Sequence, residues 1–303
     1  MPDFVSATSV SRPIAQRLGS APAILNVIAS FEHAVLLRSA DAGPFGLVSS
    51  SVGDGPLNIV LDDTLRHLPM VVTGSAARAD GRSLCFDKLH VNLANAVLWE
   101  PRPDWACLRG GQQCVADGLQ GLLDYAVQLA PPRSLLCELS RSSRRGCAEG
   151  EDTDPIEQRV AASLPGLRAG LAGDAVALRA AVRSLAGLGL GLTPAGDDFL
   201  CGLMLWCWLT YDDPPHLCAQ ITQAATPGTT LLSAAFLRAA ARGECSASWQ
   251  CLLTDLCLGS ANVPLAAVRT VLTHGATSGA DAMAGFLWAS GVLGSNGLCA
   301  SDP

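Results

Sequence analysis

The chain has 303 residues, of which 49% are hydrophobic and only 16% charged, with a formal net charge of −7. An ordinary globular chain carries about a quarter charged residues, so wholesale disorder is excluded by apolar content. Nucleic-acid binding is not expected, because no basic excess or stripe is present to neutralise phosphates. Of the 20 basic residues all but Lys88 are arginine.

Residues 1–30 show no clear period, and no basic segment followed by an apolar core marks a secretory signal there. Between 31 and 99 the texture is β-like. His33–Leu37, Gly46–Ser50, Leu57–Leu61 and Val91–Trp99 are short apolar or alternating runs, separated by Gly43-Pro44, Gly53-Asp54-Gly55-Pro56 and Asp80-Gly81. Asp62–Leu68 reads as a short helix stopped by Pro69. Residues 112–130 turn helical, with Leu119, Leu122, Leu123, Val127 and Leu129 as the apolar stripe. The segment 138–159 mixes Arg141, Arg144, Arg145, Glu149, Glu151, Asp152 and Asp154 with Ser and Gly and reads as an exposed linker. Beyond it the chain is rich in Ala and Leu. Helices are predicted over 157–171, 175–185 (capped by Asp174), 198–210, 229–242, 247–258, 263–273 and 280–293. The fold class is therefore α+β. A mostly antiparallel sheet or small barrel is expected over 1–140, a linker over 141–156, and an all-α domain over 157–303.

Two uncharged stretches, 214–237 and 282–301, raise the membrane question. Prolines, glutamines and glycines interrupt them, so buried helices of a soluble core are the better reading, with no membrane partner. Twelve cysteines without a secretory signal suggest free thiols in a reducing cytoplasm. No C-x-x-C pair exists, and zinc or iron–sulfur ligation is not expected. No nucleotide motif is present either. Gly187-x-Gly-x-Gly lacks the remaining glycine and the βαβ setting of a dinucleotide fingerprint.

From Ser184 to the C-terminus only eleven charged residues occur. A charge inside an apolar helical region must be paired, solvated or functional. Three motifs hold four of them. In the first, Gly187-Leu-Gly-Leu-Gly-Leu-Thr193-Pro-Ala-Gly196-Asp197-Asp198 leads into a helix that is apolar on every face, hence buried. Thr193 is placed to cap it and Pro194 to open it. Such a helix start favours an anion, and Gly196 lets the backbone approach one closely. Asp197 and Asp198 either complement the helix dipole or carry chemistry. In the second, His274 precedes Thr277-Ser278-Gly-Ala-Asp281, where Ser278 and Asp281 resemble a capping box. Thr193…Asp197 and Thr277…Asp281 look like a weak internal repeat. Two such starts facing one cavity would cradle a small anion. In the third, Thr229, Thr230 and Ser233 share a helix face ahead of Arg238, which could clamp a carboxylate or phosphate.

Together the segments 191–202, 229–238 and 274–286 resemble a family long known only as a domain of unknown function. One of its members is the H subunit of the three-part oxamate carbamoyltransferase of anaerobic allantoin breakdown, a branch of purine catabolism. The resemblance implies a multi-subunit transferase that converts carbamoyl phosphate and oxamate to oxalurate and phosphate, or runs that reaction in reverse. It also implies other protein subunits as partners, one of them related to acyl-CoA synthetases. Thr193, Gly196, Thr229, Thr230, Ser233, Arg238, Thr277 and Ser278 are then the candidate substrate-binding residues. Asp197, Asp198, His274 and Asp281 are the candidate catalytic ones, with Asp197 and Asp198 as candidate ligands of Mg2+. The alternative is a non-catalytic interaction subunit in which the same residues only cap helices.

Overall fold

A computed structural model describes residues 2–19, 22–39, 43–62, 68–145, 154–259 and 265–293. The chain divides into two compact units. One comprises residues 1–103 with 244–247, and the other comprises 104–243 with 248–303.

The first unit is a barrel. Its elements are β1 (Asp3–Ser11), α1 (Arg12–Leu18), β2 (Ala23–Ser30), β3 (Ala34–Ser39), β4 (Gly43–Val48), β5 (Asn58–Leu61), β6 (Ala76–Ala79), β7 (Ser83–Cys85), β8 (Leu89–Asn92) and β9 (Val97–Trp99). The order β5-β4-β3-β2-β6-β7-β8-β1 closes because β5 also pairs with β1, and β9 is an extra strand on β1. Closure removes the sheet edges that would otherwise be exposed. The sheet is mixed: β1 runs parallel to β8 and β9, and β4 parallel to β5. The remaining neighbours are antiparallel. Leu25, Val35, Leu37, Phe45, Leu47 and Ile59 are fully buried. Glu244–Ala247 adds to this unit, the Cys245 N–H donating to Pro101 O at 2.9 Å and the Ala247 N–H to Asp54 O at 3.0 Å.

The second unit is helical: α2 (Trp105–Gly110), α3 (Gln112–Leu129), α4 (Leu135–Arg145), α5 (Pro155–Leu171), α6 (Ala175–Leu185), α7 (Ala195–Thr210), α8 (Pro214–Ala225), α9 (Leu231–Ala241), α10 (Ala247–Cys257), α11 (Leu265–Leu272) and α12 (Ser278–Ala289). The α+β class and the small barrel are as expected. The boundary expected at 140 lies at Pro103–Asp104, because α2, α3 and α4 pack with the later helices. The expected linker begins inside α4. That helix stays ordered through Arg145 because Leu135, Leu136 and Leu139 are buried as one apolar stripe. Its continuation, 146–153, lies outside the described residues, as does most of the expected helix at 62–68. The proline-led stretch at 214 forms α8, because prolines in a first turn give up no intrahelical hydrogen bond.

Helices α7 and α12 form the centre of the unit. Both are buried nearly all round. They approach closely enough that a Cβ on Gly202 would stand 1.7 Å from Ala282 O, and one on Gly285 1.9 Å from Phe199 O. Trp206 meets Phe286 edge-on at 5.3 Å, and Phe199 lies 5.9 Å from Trp288. Such aromatic pairs add about 0.5–1.5 kcal/mol each beyond area burial. No described helix is long and apolar enough to cross a membrane.

Candidate functional site

The beginnings of α7 and α12 correspond residue by residue, in a register different from the expected one. Gly-x-Asp-x-x-x-Gly occurs at 196–202 and again at 279–285. Gly196 and Gly279 are each the second residue of their helix, Asp198 and Asp281 the fourth, and Gly202 and Gly285 the eighth. The two early glycines do the same job. A Cβ on Gly196 would lie 2.2 Å from Leu185 O at the end of α6, and one on Gly279 1.8 Å from Val271 O in the last turn of α11. The equivalent carboxylates are therefore Asp198 and Asp281, not Asp197 and Asp281.

The caps also differ from expectation. Pro194, not Thr193, is the cap residue of α7, and no side chain caps that helix. Thr193 Oγ1 instead lies 2.9 Å from Ser278 Oγ, so one hydroxyl pair joins the two helix starts. Thr277 is the cap residue of α12 and makes no side-chain cap bond, which places Ser278 inside the helix. The capping box does not form. Asp281 Oδ1 accepts the Leu135 N–H at the start of α4 at 2.7 Å.

Asp197 is fully committed. Its Oδ1 accepts the Gly187 N–H at 3.1 Å, and its Oδ2 accepts the Thr229 hydroxyl. Ser233 also faces it, and burial outweighs these bonds to raise its pKa. Gly187 holds φ +70°, and a Cβ there would meet Gly228 O at 2.4 Å. Asp197 thus pins the glycine loop, the start of α9 and the start of α7 to one another. Thr230 caps α9, accepting the Ser233 N–H at 3.1 Å and donating to Leu192 O at 2.6 Å.

Asp198 and Asp281 are different. They are 9% and 1% exposed, and Oδ2 of each has no hydrogen-bond partner. An unsatisfied buried acceptor costs about 1–3 kcal/mol, more when charged. Burial pushes the Asp198 carboxyl well above the usual carboxylate range. The Ser278 hydroxyl opposes that rise, the charges of Asp281 and Asp197 add to it, and Thr193 opposes it. Burial pushes Asp281 up to about 6 against the Leu135 N–H and the Thr277 hydroxyl. The neighbouring charge of Asp281 thus adds to burial in favouring the protonated form of the Asp198 carboxyl.

The remaining candidates are not gathered here by any contact. His274 is half-buried in the turn before α12. Its ring Nδ1 lies 3.4 Å from Thr270 O, and its carbonyl accepts the Gly279 N–H at 3.0 Å. Arg238 is exposed in the last turn of α9, at the opposite end from Thr230, and makes no hydrogen bond or ion pair among the described residues. Two contributors escaped the sequence: the Leu135 N–H, hidden in a segment that looked like the approach to a linker, and the Gly187 N–H. The matched glycines were visible, since their spacing repeats.

These features define an α+β protein whose helical unit is built on two matched helix starts, each presenting one buried, incompletely bonded carboxylate beside hydroxyls. Residues 185–290 match the family described as oxamate carbamoyltransferase subunit AllH, the family that the three motifs indicate. The match runs from the last residue of α6 to the end of α12 and so contains both helix starts. No curated protein and no solved structure matches the chain.

Proposed function

We propose that this chain is a subunit of a carbamoyltransferase-type enzyme, and that it binds a small amide-bearing anion of the oxamate and carbamoyl phosphate class at the paired starts of α7 and α12. The observation that carries this reading is the pair of buried, unpartnered oxygens on Asp198 and Asp281. Oxamate and carbamoyl phosphate each join an amide NH2, a donor, to an anionic group, an acceptor. The free Asp281 oxygen is an acceptor awaiting a donor, and a protonated Asp198 carboxyl both donates and accepts. The Thr193, Thr277 and Ser278 hydroxyls serve the anionic oxygens, together with the helix-start dipoles.

In the transfer step the amide nitrogen of oxamate attacks the carbamoyl carbon. The C–N bond forms, the C–O bond to phosphate breaks, and the nitrogen loses a proton. Asp281, with a pKa raised to about 6, is the base that takes it, because a base poised near neutrality works best near pH 7. His274, tied to the α12 start through its carbonyl and the Gly279 N–H, is the candidate proton donor to the departing phosphate. Asp197, already bonded at both oxygens, positions the glycine loop and touches no substrate. A divalent cation such as Mg2+ would be held by Asp198 rather than by Asp197, which leaves Asp281 free as the base. Among the described residues no group of three or more His, Cys, Asp or Glu comes together. The protein would give this one carboxylate and the substrate phosphate the rest, as is common for Mg2+.

A second reading, an interaction subunit of a multi-subunit complex, is favoured by Leu190, Leu192 and Leu231. They are 93%, 42% and 43% exposed on the glycine loop and the start of α9. Partner subunits, including one related to acyl-CoA synthetases, would cover them. The deciding experiment is carbamoyl transfer by the complex assembled with Asp198→Asn or His274→Ala chains. Loss of turnover with intact assembly supports the catalytic role, and full turnover in both variants leaves the interaction role.

A further inference from the structure

A second recessed site lies in the helical unit, on residues that the paired carboxylates do not use. Helices α6 and α8 pack side by side and form an open surface groove of about 450 Å³, within the size range of small-molecule sites. Arg179 and Arg183 line it from α6, and Gln220 and Gln223 line it from α8. Each pair is spaced so that both members share one helix face. Leu178 and Ala224, both buried, supply an apolar floor.

Neither guanidinium has a carboxylate partner among the described residues. The nearest acid in sequence, Asp174, is already engaged: its Oδ1 accepts the Val176 and Ala177 N–H groups and caps α6. Gln220 Nε2 lies 2.8 Å from His216 Nε2, which orients the amide. The groove therefore presents two exposed guanidinium forks, without a carboxylate partner among the described residues, and two amides over an apolar floor.

We infer that this groove between α6 and α8 binds a small phosphate-bearing metabolite, with Arg179 and Arg183 clamping the phosphate and Gln220 and Gln223 reading the attached polar group. A carboxylate offers two oxygens and saturates one fork. A terminal phosphate offers three and can engage two forks at once. The glutamine amides both donate and accept, which suits a hydroxyl or amide substituent. The site uses none of the residues around the Asp198 and Asp281 pair, so its ligand acts as an effector.

Calorimetric titration of the full chain with inorganic phosphate, glycerol phosphate and malonate tests this. The expected result is saturable phosphate binding whose Arg-dependent component is tighter for the ester and weaker for malonate. Arg179→Gln and Arg183→Gln should each weaken binding by about tenfold or more. Glutamine keeps the helix propensity of an exposed position, so folding is retained and checked by circular dichroism. The component lost in Arg179→Gln/Arg183→Gln should persist in Asp198→Asn, which separates this site from the proposed active site. Absence of saturable phosphate binding, equal affinity in the Arg179→Gln/Arg183→Gln double variant, or malonate binding more tightly than the phosphates would each overturn the inference.

Discussion

The hairpins α6–α7 and α11–α12 are two solutions to one packing problem, and they differ at a single informative place. Both press a second-position glycine against the preceding helix, place an aspartate at the fourth position, and cross through an eighth-position glycine. The α7 start alone carries a further aspartate, Asp197, where α12 has Ala280. The reason lies in the connection. Residues 186–194 form a long glycine-rich loop that needs an anchor, and Asp197 supplies it through Gly187 and Thr229. The connection before α12 is only 273–277 and closes on backbone bonds such as Gly279 N–H to His274 O. What the two starts share is then separable from what one of them needs. Each shared aspartate keeps one oxygen without a partner, whereas both oxygens of the unshared one are bonded.

The largest expected effect tests the shared packing. Gly202→Ala and Gly285→Ala each push a methyl group into a backbone carbonyl and should cost more than about 3 kcal/mol, read from urea unfolding midpoints. The two losses should be similar. A large loss in one variant and none in the other would break the equivalence of the two helices.

The next effect is in pH dependence. Asp281 rises from the ordinary 3.8 to about 6 on folding. The folded state therefore holds that proton more tightly than the unfolded chain. The stabilisation is complete below about pH 4 and is lost as pH rises through 6, a change of about 3 kcal/mol at most. Asp281→Asn should flatten this slope between pH 4 and 6. It should leave stability at pH 7 unchanged or higher, since an amide oxygen still accepts the Leu135 N–H. Unfolding midpoints at pH 4, 5, 6 and 7 give the answer.

Third, Asp197→Ala removes the loop anchor and leaves the Gly187 N–H and the Thr229 hydroxyl unpaired. A loss of about 2 kcal/mol follows, with faster hydrogen exchange at Gly187 than anywhere in α12. The smallest effect is that of Thr193→Val, which deletes one hydroxyl of the Thr193–Ser278 pair and should cost about 1 kcal/mol. Ser278→Ala should match it, and the double variant should cost little more than either single one if the two hydroxyls act as a pair.

Legibility in the sequence followed local chemistry. The helix 175–185 was readable to the residue because Asp174 caps it through its own side chain. The strands β1 and β2 were not. In β1 the inward positions include Ala7 and Ser9, so burial alternates without a matching alternation in hydropathy. In β2 Ile24 and Ile28 face out while Leu25 and Val27 face in, so both faces are apolar. At the candidate site the aspartates stood out because charge is scarce around them. Their pairing did not, because Thr193…Asp197 and Thr277…Asp281 repeat by residue type, whereas packing repeats through the glycines. The Leu135 N–H carries no side-chain signature, so nothing in residue identity could announce that it would meet Asp281.

The central claim is that Asp198 and Asp281 hold the substrate through oxygens that the fold leaves unpartnered. Its most direct test is the thermal midpoint of the full chain titrated with oxamate and with carbamoyl phosphate, in wild type and in Asp198→Asn. A bound ligand stabilises the native state in proportion to the logarithm of its saturation ratio. The account predicts a saturable rise for the wild type that is abolished in Asp198→Asn, while the midpoint without ligand stays the same or increases. An equal rise in both proteins would contradict it.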